Sequence, residues 1–449
     1  NQLKEVSTYS IILESNITDL ADKRLAKTTY SFLTLSNNNL IYTTQVGATG
    51  GSTYGRKVAV DSLGNSYVVG STTVGINGQT QKGNVDYFIA KYANGESTPV
   101  WTNQVGVSGG TTMANAVTVD KSGNIYVVGG TDVGINGQIK QGGYDLFVVK
   151  YPATGESIPV WTREVGSLAG NRGSHATGVA VDSTGNLYVS GETNSGIYGN
   201  TVQGPLDSFV VKYPATGESI PVWVKQFGAT GGTLINCGLS IDSSGNVYTT
   251  GSTNVGILGQ TQKGAKDYYV VKYDSNGAFV WAKQVGVATA TTYANSLAVD
   301  SNGVVYVIGN TTAGINGQTQ QSNQDYFLVA YNPIGVVLWS RQFGGFGSYT
   351  GGNVIAVDSA NNIYVGGSTF KGIHGQTQTG LEDYFIAKYL NGQTTPLWTK
   401  QVGTSGGYTY ATGLNVSNTG SIFVSGTTNL GLSGGTKKGS FDYFLAKYN

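Results

Sequence analysis

Cysteine is nearly absent from this chain: Cys237 stands alone among 449 residues, so no internal disulfide can form. Histidine is equally scarce, with only His175 and His374, and no Cys/His spacing suggests a metal centre. Charge is also thin: charged residues make up 11% of the chain and nearly cancel, leaving a net charge of +1. No basic run is present, which excludes the electrostatic footprint of a nucleic-acid binder. No apolar stretch reaches the length of a membrane span. Starting at Asn1 with neither Met nor a signal peptide, the chain is expected to be a mature or trimmed form. A nucleophile elbow and a phosphate-cradling loop are missing too. No cofactor and no metal are expected.

Glycine, by contrast, is abundant at 68 residues, with many Thr, Asn, Gln and Tyr, the profile of tight turns and polar loops on an all-β scaffold. The segment from Trp101 to Tyr151 is written seven times, at a spacing of about 60 residues. Each copy carries a Trp-x-x-Gln-x-Gly phrase (Trp101–Gly106, Trp223–Gly228, Trp281–Gly286), with a degenerate first copy at Ile41–Gly47. An apolar-Asp-x-x-Gly-Asn-x-Tyr-Val hairpin follows, as in Val119–Val127, and then Asp-Tyr-Phe-apolar-apolar-Lys-Tyr, as in Asp86–Tyr92. Short alternating runs between turn residues read as strands, four per unit. Four antiparallel strands repeated seven times is the count of a seven-bladed β-propeller. The chain ends after the third strand of its last unit and begins with an orphan fourth strand near Leu40–Gly47, so the two halves complete one blade only if the ring closes. Residues 37–449 are expected to form this ring and 1–36 an extension or linker, with mixed helix and strand signals over Ile17–Leu33.

These phrases resemble the SBBP repeat, the bacterial β-propeller repeat: Gly-Asn-x-Tyr-Val-x-Gly-x-Thr, then Gly-x-x-Asp-Tyr-Phe-Ile-Ala-Lys-Tyr, then Trp-Thr-x-Gln-x-Gly. The resemblance runs from Leu40 to Asn449 and implies a secreted or surface-exposed binding protein, with no catalytic motif to carry over.

What all units share is expected to be framework. The aspartates opening strand three (Asp86, Asp145, Asp207, Asp267, Asp325, Asp383, Asp442) are read as acceptors for loop N–H groups rather than a metal ring. The tryptophans are read as outer-strand packing. Function is sought where the units differ. Between the two glycines of each strand two-to-three loop one position varies: Asn77, Asn136, Tyr198, Leu258, Asn316, His374, Ser433. Amide and hydroxyl side chains beside Tyr suit a neutral, hydroxylated partner such as a glycan, or a polypeptide surface, met by long loops on one face. Charges unique to one unit cluster in the first three: Arg56, Lys57, Asp132, Arg172 and Glu192, with His175 beside them. The candidate ligand-binding residues are therefore Asn77, Asn136, Tyr198, Asn316, His374, Arg56, Lys57, His175 and Glu192.

The reading that follows is an extracellular or cell-surface adhesion module that binds a glycan or an extracellular protein and is not an enzyme. The alternative is a structural component that self-assembles into a surface layer or filament. A lyase or hydrolase on blades 1–3 would have to rest on a Glu192/His175 acid–base pair helped by Arg56.

Overall fold

The computed structural model describes residues 39–154, 156–166, 173–217 and 219–449, together with the backbone of 8–13 and 28–33. Among these residues every regular element is a β-strand. Strand a of blades 1 to 7 spans Thr53–Val60, Thr112–Val119, Ser174–Val181, Leu234–Ile241, Thr292–Val299, Thr350–Val357 and Thr409–Val416. Strand b spans Ser66–Thr72, Ile125–Thr131, Leu187–Thr193, Val247–Thr253, Val305–Thr311, Ile363–Thr369 and Ile422–Thr428. Strand c spans Asp86–Tyr92, Asp145–Tyr151, Asp207–Tyr213, Asp267–Tyr273, Asp325–Tyr331, Asp383–Tyr389 and Asp442–Tyr448. Strand d spans Pro99–Val105, Trp161–Val165, Trp223–Phe227, Phe279–Val285, Val337–Phe343, Trp398–Val402 and, for blade 7, Leu40–Val46.

Each blade is an a-b-c-d antiparallel sheet, and blade 7 takes its outer strand from the start of the ring. Val46 lies opposite Tyr443 and Leu40 opposite Tyr448, so the closing strand completes the sheet as the sequence predicts. Thr8–Leu13 and Thr28–Leu33 pair as a separate two-stranded antiparallel sheet. Residues 17–27, the first part of the stretch with mixed signals, and Arg172 lie outside the described residues.

Strand c explains its own composition. It is covered on both faces by neighbouring blades, so it reads as a continuous apolar run rather than an alternating one. Its opening aspartate is buried and needs donors. Asp86 Oδ1 accepts the Gly83 N–H at 2.7 Å, and Oδ2 accepts the Lys82 N–H and the Gln104 amide, each at 2.8 Å. The glycine that closes the Trp-x-x-Gln-x-Gly phrase has the same cause: a Cβ at Gly106 would sit 1.8 Å from Asp86 Oδ1. The aspartates are framework, as expected from their presence in every blade.

Below them, the a–b hairpins repeat a second device. Asp61 accepts the Asn65 main-chain and side-chain N–H groups at 2.9 and 2.8 Å and the Tyr67 hydroxyl at 3.1 Å. Blades 1 to 6 each lock the inner hairpin with one such Asx turn, blade 5 with Val304 in place of the asparagine. Blade 7 departs further, with Ser417 at the turn and Phe423 in place of the tyrosine.

Candidate functional site

The blades meet through a tyrosine clasp. The second residue of strand c in one blade bonds the last residue of strand c in the next. The pairs are Tyr87–Tyr151, Tyr268–Tyr331, Tyr326–Tyr389 and Tyr443–Tyr92, at 2.5 to 3.0 Å, together with Tyr384–Tyr448. The clasp fails on both sides of blade 3, where Leu146 and Ser208 replace the first tyrosine. On one side Tyr198, from the loop tip, bonds the orphaned Tyr213 at 2.7 Å. On the other, a buried polar hub takes over. Asn236 is 2% exposed and stands where other blades have Gly or Ala. Its amide donates to Ser208 and Thr249 at 2.8 and 2.7 Å, and its carbonyl accepts from Thr177 and Ser190 at 2.9 and 3.0 Å. All four hydrogen-bonding capacities of the side chain are used.

Strand a carries one extra residue in every blade, a bulge aimed at the channel mouth: Arg56, Asn115, Thr177, Cys237, Asn295, Asn353 and Thr412. Four of these side chains donate to the next blade's backbone or side chain at 2.9 to 3.1 Å and Thr412 reaches the Gly55 carbonyl at 2.6 Å, forming an inter-blade ladder around the axis. Arg56 and Cys237 leave it open. Arg56 is exposed. Burial and the nearby Glu192 push the Cys237 thiol up to about 12, which keeps it protonated at neutral pH.

Below the ladder lies the channel cavity, about 300 Å³, walled by small and aliphatic residues of strand a such as Val58, Val179, Leu239, Leu297 and Leu414. Lys57 is the one charged residue among those lining it. It keeps some accessible area because it borders the channel, yet protein walls surround it. Desolvation is the main reason its pKa falls to about 8, and the Arg56 charge adds to the fall.

The remaining residues singled out in the sequence fall into two groups. The loop-tip positions all adopt the left-handed conformation: φ is 50° at Asn77, Asn136 and Tyr198, 49° at Asn316 and 48° at His374. That conformation explains the recurrent asparagine. These side chains also fasten the loop to its blade. Asn77 and Asn136 donate to Thr102 and Thr162 at 2.9 Å, and His374 contacts Thr399 at 2.9 Å and Tyr326 at 3.2 Å. Burial lowers the His374 pKa to about 4, leaving it neutral. The second group, His175 and Glu192, lie opposite each other in register but engage different neighbours. The His175 ring stacks on Tyr144 with centroids 4.3 Å apart. Glu192 accepts the Asn236 N–H at 3.3 Å, and burial raises its pKa. No hydrogen bond joins the two, so the pair that a catalytic reading required is not assembled. Asp132 is spent on the Thr111 N–H at 2.6 Å. Asn310, in a glycosylation-type triplet, is 7% exposed and accepts the Gly352 N–H, so it is not a sugar acceptor.

Two features escaped the sequence reading. The first is an aromatic strip on the face formed by the b–c and d–a loops, over blades 5 to 7. Phe346 is 92% exposed and Tyr349 52%. Tyr349 meets Phe370, and Phe370 meets Tyr408, at centroid distances of 6.4 and 6.5 Å. Exposed Leu381 lies in the same loop as Phe370, its N–H bonded to the Gly407 carbonyl at 2.8 Å. The counterparts of Phe370 are Thr73, Asp132, Asn194, Asn254, Thr312 and Asn429, all polar. The second is Glu164, which stands where the other six blades have glutamine.

This architecture defines a seven-bladed β-propeller assembled from a single repeated unit. The chain belongs to the SBBP β-propeller repeat family, whose model matches residues 41–77, 100–136, 160–199, 222–259, 280–316 and 338–369. It is 27% identical over 360 residues to the regulatory protein FlaEY of Caulobacter vibrioides, covering 72% of this chain and 37% of that protein. It is 23% identical over 256 residues to an uncharacterized WD repeat-containing protein, L264, of Acanthamoeba polyphaga mimivirus, covering 45% of this chain and 18% of that one. The chain thus spans well under half the length of these curated relatives. A chain in the crystal structure of a mitotic checkpoint complex superposes with a TM-score of 0.51 at 10% identity, over 92% of each chain, a likeness of fold alone.

Proposed function

We propose that this propeller is a binding module that docks a protein partner through its loop face, with the aromatic strip at the centre of the contact. The strip is the observation that carries this reading. Tyr349 touches Phe370, and exposed Phe346 and Leu381 stand in the same two loops, where the other blades set polar residues at the Phe370 position. A soluble surface leaves such a patch uncovered at a cost unless something binds there. Aromatic anchors with few rotatable bonds are the side chains that dominate protein interfaces. Two of the three aromatic residues that stand more than a third exposed in the patch are Phe, which offers no hydrogen bond to a sugar hydroxyl, so a polypeptide fits better than a glycan. The broken inter-blade ladder at Arg56 and Cys237 makes the channel mouth, on the same face, uneven as well. The scarcity of charge keeps an extracellular or cell-surface setting as part of the proposal.

The test is a photo-crosslinking amino acid at Phe346, with a control at Ile158 on the opposite hairpins, in the producing cells. A defined protein adduct at Phe346 alone is expected. Tyr349→Ala and Phe370→Ala should abolish it, each costing about 2 kcal/mol of binding, with the melting temperature unchanged. An adduct that is a second copy of the chain would replace this reading with self-assembly. No adduct, or one that survives both substitutions, would refute it.

A further inference from the structure

In six blades the glutamine of strand d is a clasp. Its Oε1 accepts the N–H of the loop Ile or Leu, for example Ile76 at 3.2 Å, Ile257 at 3.1 Å and Leu432 at 3.0 Å. Its Nε2 donates twice. One bond goes to the strand-c aspartate at 2.8 to 2.9 Å. The other goes to a loop carbonyl, at 3.0 to 3.3 Å.

Glu164 occupies this place in blade 2. Its Oε1 accepts the Ile135 N–H at 2.6 Å, so the side chain keeps the clasp's register. Its Oε2 then stands where six blades hold a doubly donating amide, and it has no hydrogen-bond partner. The residue is 6% exposed. Asp145 Oδ2 retains the Gln141 N–H at 2.6 Å but loses the side-chain donor that its counterparts have. The Val133 carbonyl, counterpart of Val74, loses its amide donor as well and keeps the Thr131 hydroxyl at 2.9 Å. Three acceptor oxygens therefore surround a point that the other blades fill with two N–H groups.

Beside them opens a cavity of about 510 Å³ between blades 2 and 3, bordered by Gln138, Gln141, Arg163, Glu164, Tyr198 and Ser219. Arg163 does not neutralise Glu164. Its guanidinium donates to the Gly217 carbonyl and lies over the Trp161 and Tyr213 rings, 4.2 and 5.1 Å from their centroids.

We propose that Glu164 converts the amide clasp of blade 2 into a site for a hard divalent cation, calcium, held by Glu164 Oε2, Asp145 Oδ2 and the Val133 carbonyl, with water from the cavity completing its shell. The donor set decides the ion: all three ligands are oxygen, two of them carboxylate, which disfavours zinc and copper. Calcium tolerates irregular geometry and water ligands, where magnesium demands a near-ideal octahedron. A divalent charge balances both carboxylates and serves all three oxygens, whereas a single proton donates to only one. With two carboxylates the affinity belongs to the weak class, a dissociation constant of about 10⁻⁴ to 10⁻³ M.

The experiment follows melting of the full chain at a pH above 7 against calcium concentration, for wild type and Glu164→Gln. Wild type is expected to melt higher as calcium is added, saturating in the range above, and to return on chelation. Glu164→Gln restores the residue of the other blades. It should fold, ignore calcium, and melt above calcium-free wild type. The charged and titratable groups around Glu164 are Asp145, Arg163, Tyr198 and Tyr213, and burial with the Asp145 charge raises the Glu164 pKa to about 7. Wild type that ignores calcium yet gains stability as pH falls through 7 would show that the gap holds only a proton. An equal calcium response in both proteins would place the ion elsewhere. Either result overturns the proposal.

Discussion

The arc running from blade 4 through blades 5, 6 and 7 into blades 1 and 2 and the two interfaces that flank blade 3 solve one packing problem differently. Along the arc each interface repeats the tyrosine clasp, and apolar side chains fill the space beneath it. Around blade 3 the clasp is gone. Tyr198 bends in from a loop on one side, and the Asn236 hub stitches the other with hydroxyls. The regular arc shows what a blade interface needs. The irregular pair shows what it tolerates when neighbouring residues change together, since Asn236 is useful only beside Ser190, Ser208 and Thr249. Glu164 and Cys237 border the same blade, and Lys57 lies within electrostatic reach of Cys237.

The largest effect expected from breaking this contrast comes from Asn236→Ala. Alanine is the native residue at this position in blades 2, 3, 5 and 7. Here it would strand buried hydroxyls, and a loss of about 2–3 kcal/mol is expected in denaturant unfolding. Ala294→Asn, the reverse change in blade 5, should also destabilise, because Val307 and Cys237 stand where Asn236 finds Thr249 and Thr177, and Tyr268 is held in its clasp with Tyr331.

Lys57→Met comes next, with a gain of about 1–2 kcal/mol at neutral pH, from removing a desolvated charge while keeping the apolar stem. The sign with pH follows from linkage. The folded pKa, about 8, lies below the ordinary 10.5, so the unfolded chain binds more protons in that interval. Wild-type stability should therefore rise with pH between those values, and the advantage of the variant should shrink. A pH series of melts for both proteins reads this directly, and parallel curves would rule it out.

Smallest is the double variant Leu146→Tyr with Tyr198→Asn, which rebuilds the clasp with Tyr213 and gives the loop tip its commonest residue. A gain of about 1 kcal/mol is expected. No gain would mean that Tyr198 already serves as well as a clasp.

The blade count and the ring closure were legible in the sequence because a sevenfold period leaves one arrangement for an orphan fourth strand. The framework role of Asp86 and its counterparts was legible for the same reason. The loop-tip series was not. Asn77, Tyr198 and His374 differ in chemistry but share one left-handed backbone state, and residue names conceal that. Glu164 was visible as a letter change, yet its meaning depends on the two bonds an amide nitrogen donates in the other blades. The aromatic strip was illegible for a topological reason. Tyr349, Phe370 and Tyr408 belong to three separate loops: the a–b pairing of blade 6 sets Phe370 beside Tyr349, and the bridge from Glu382 to Tyr408 brings in the third.

The closing strand has a mechanical consequence. Leu40 and Tyr448 lie side by side at one end of an antiparallel pair, and the Asn449 N–H bonds the Asn39 carbonyl at 3.2 Å. Tension applied at these two points loads one hydrogen bond at a time, as in a zipper, rather than shearing the whole ladder together. Under pull the ring opens first at blade 7, while the six blades of continuous chain stay shut.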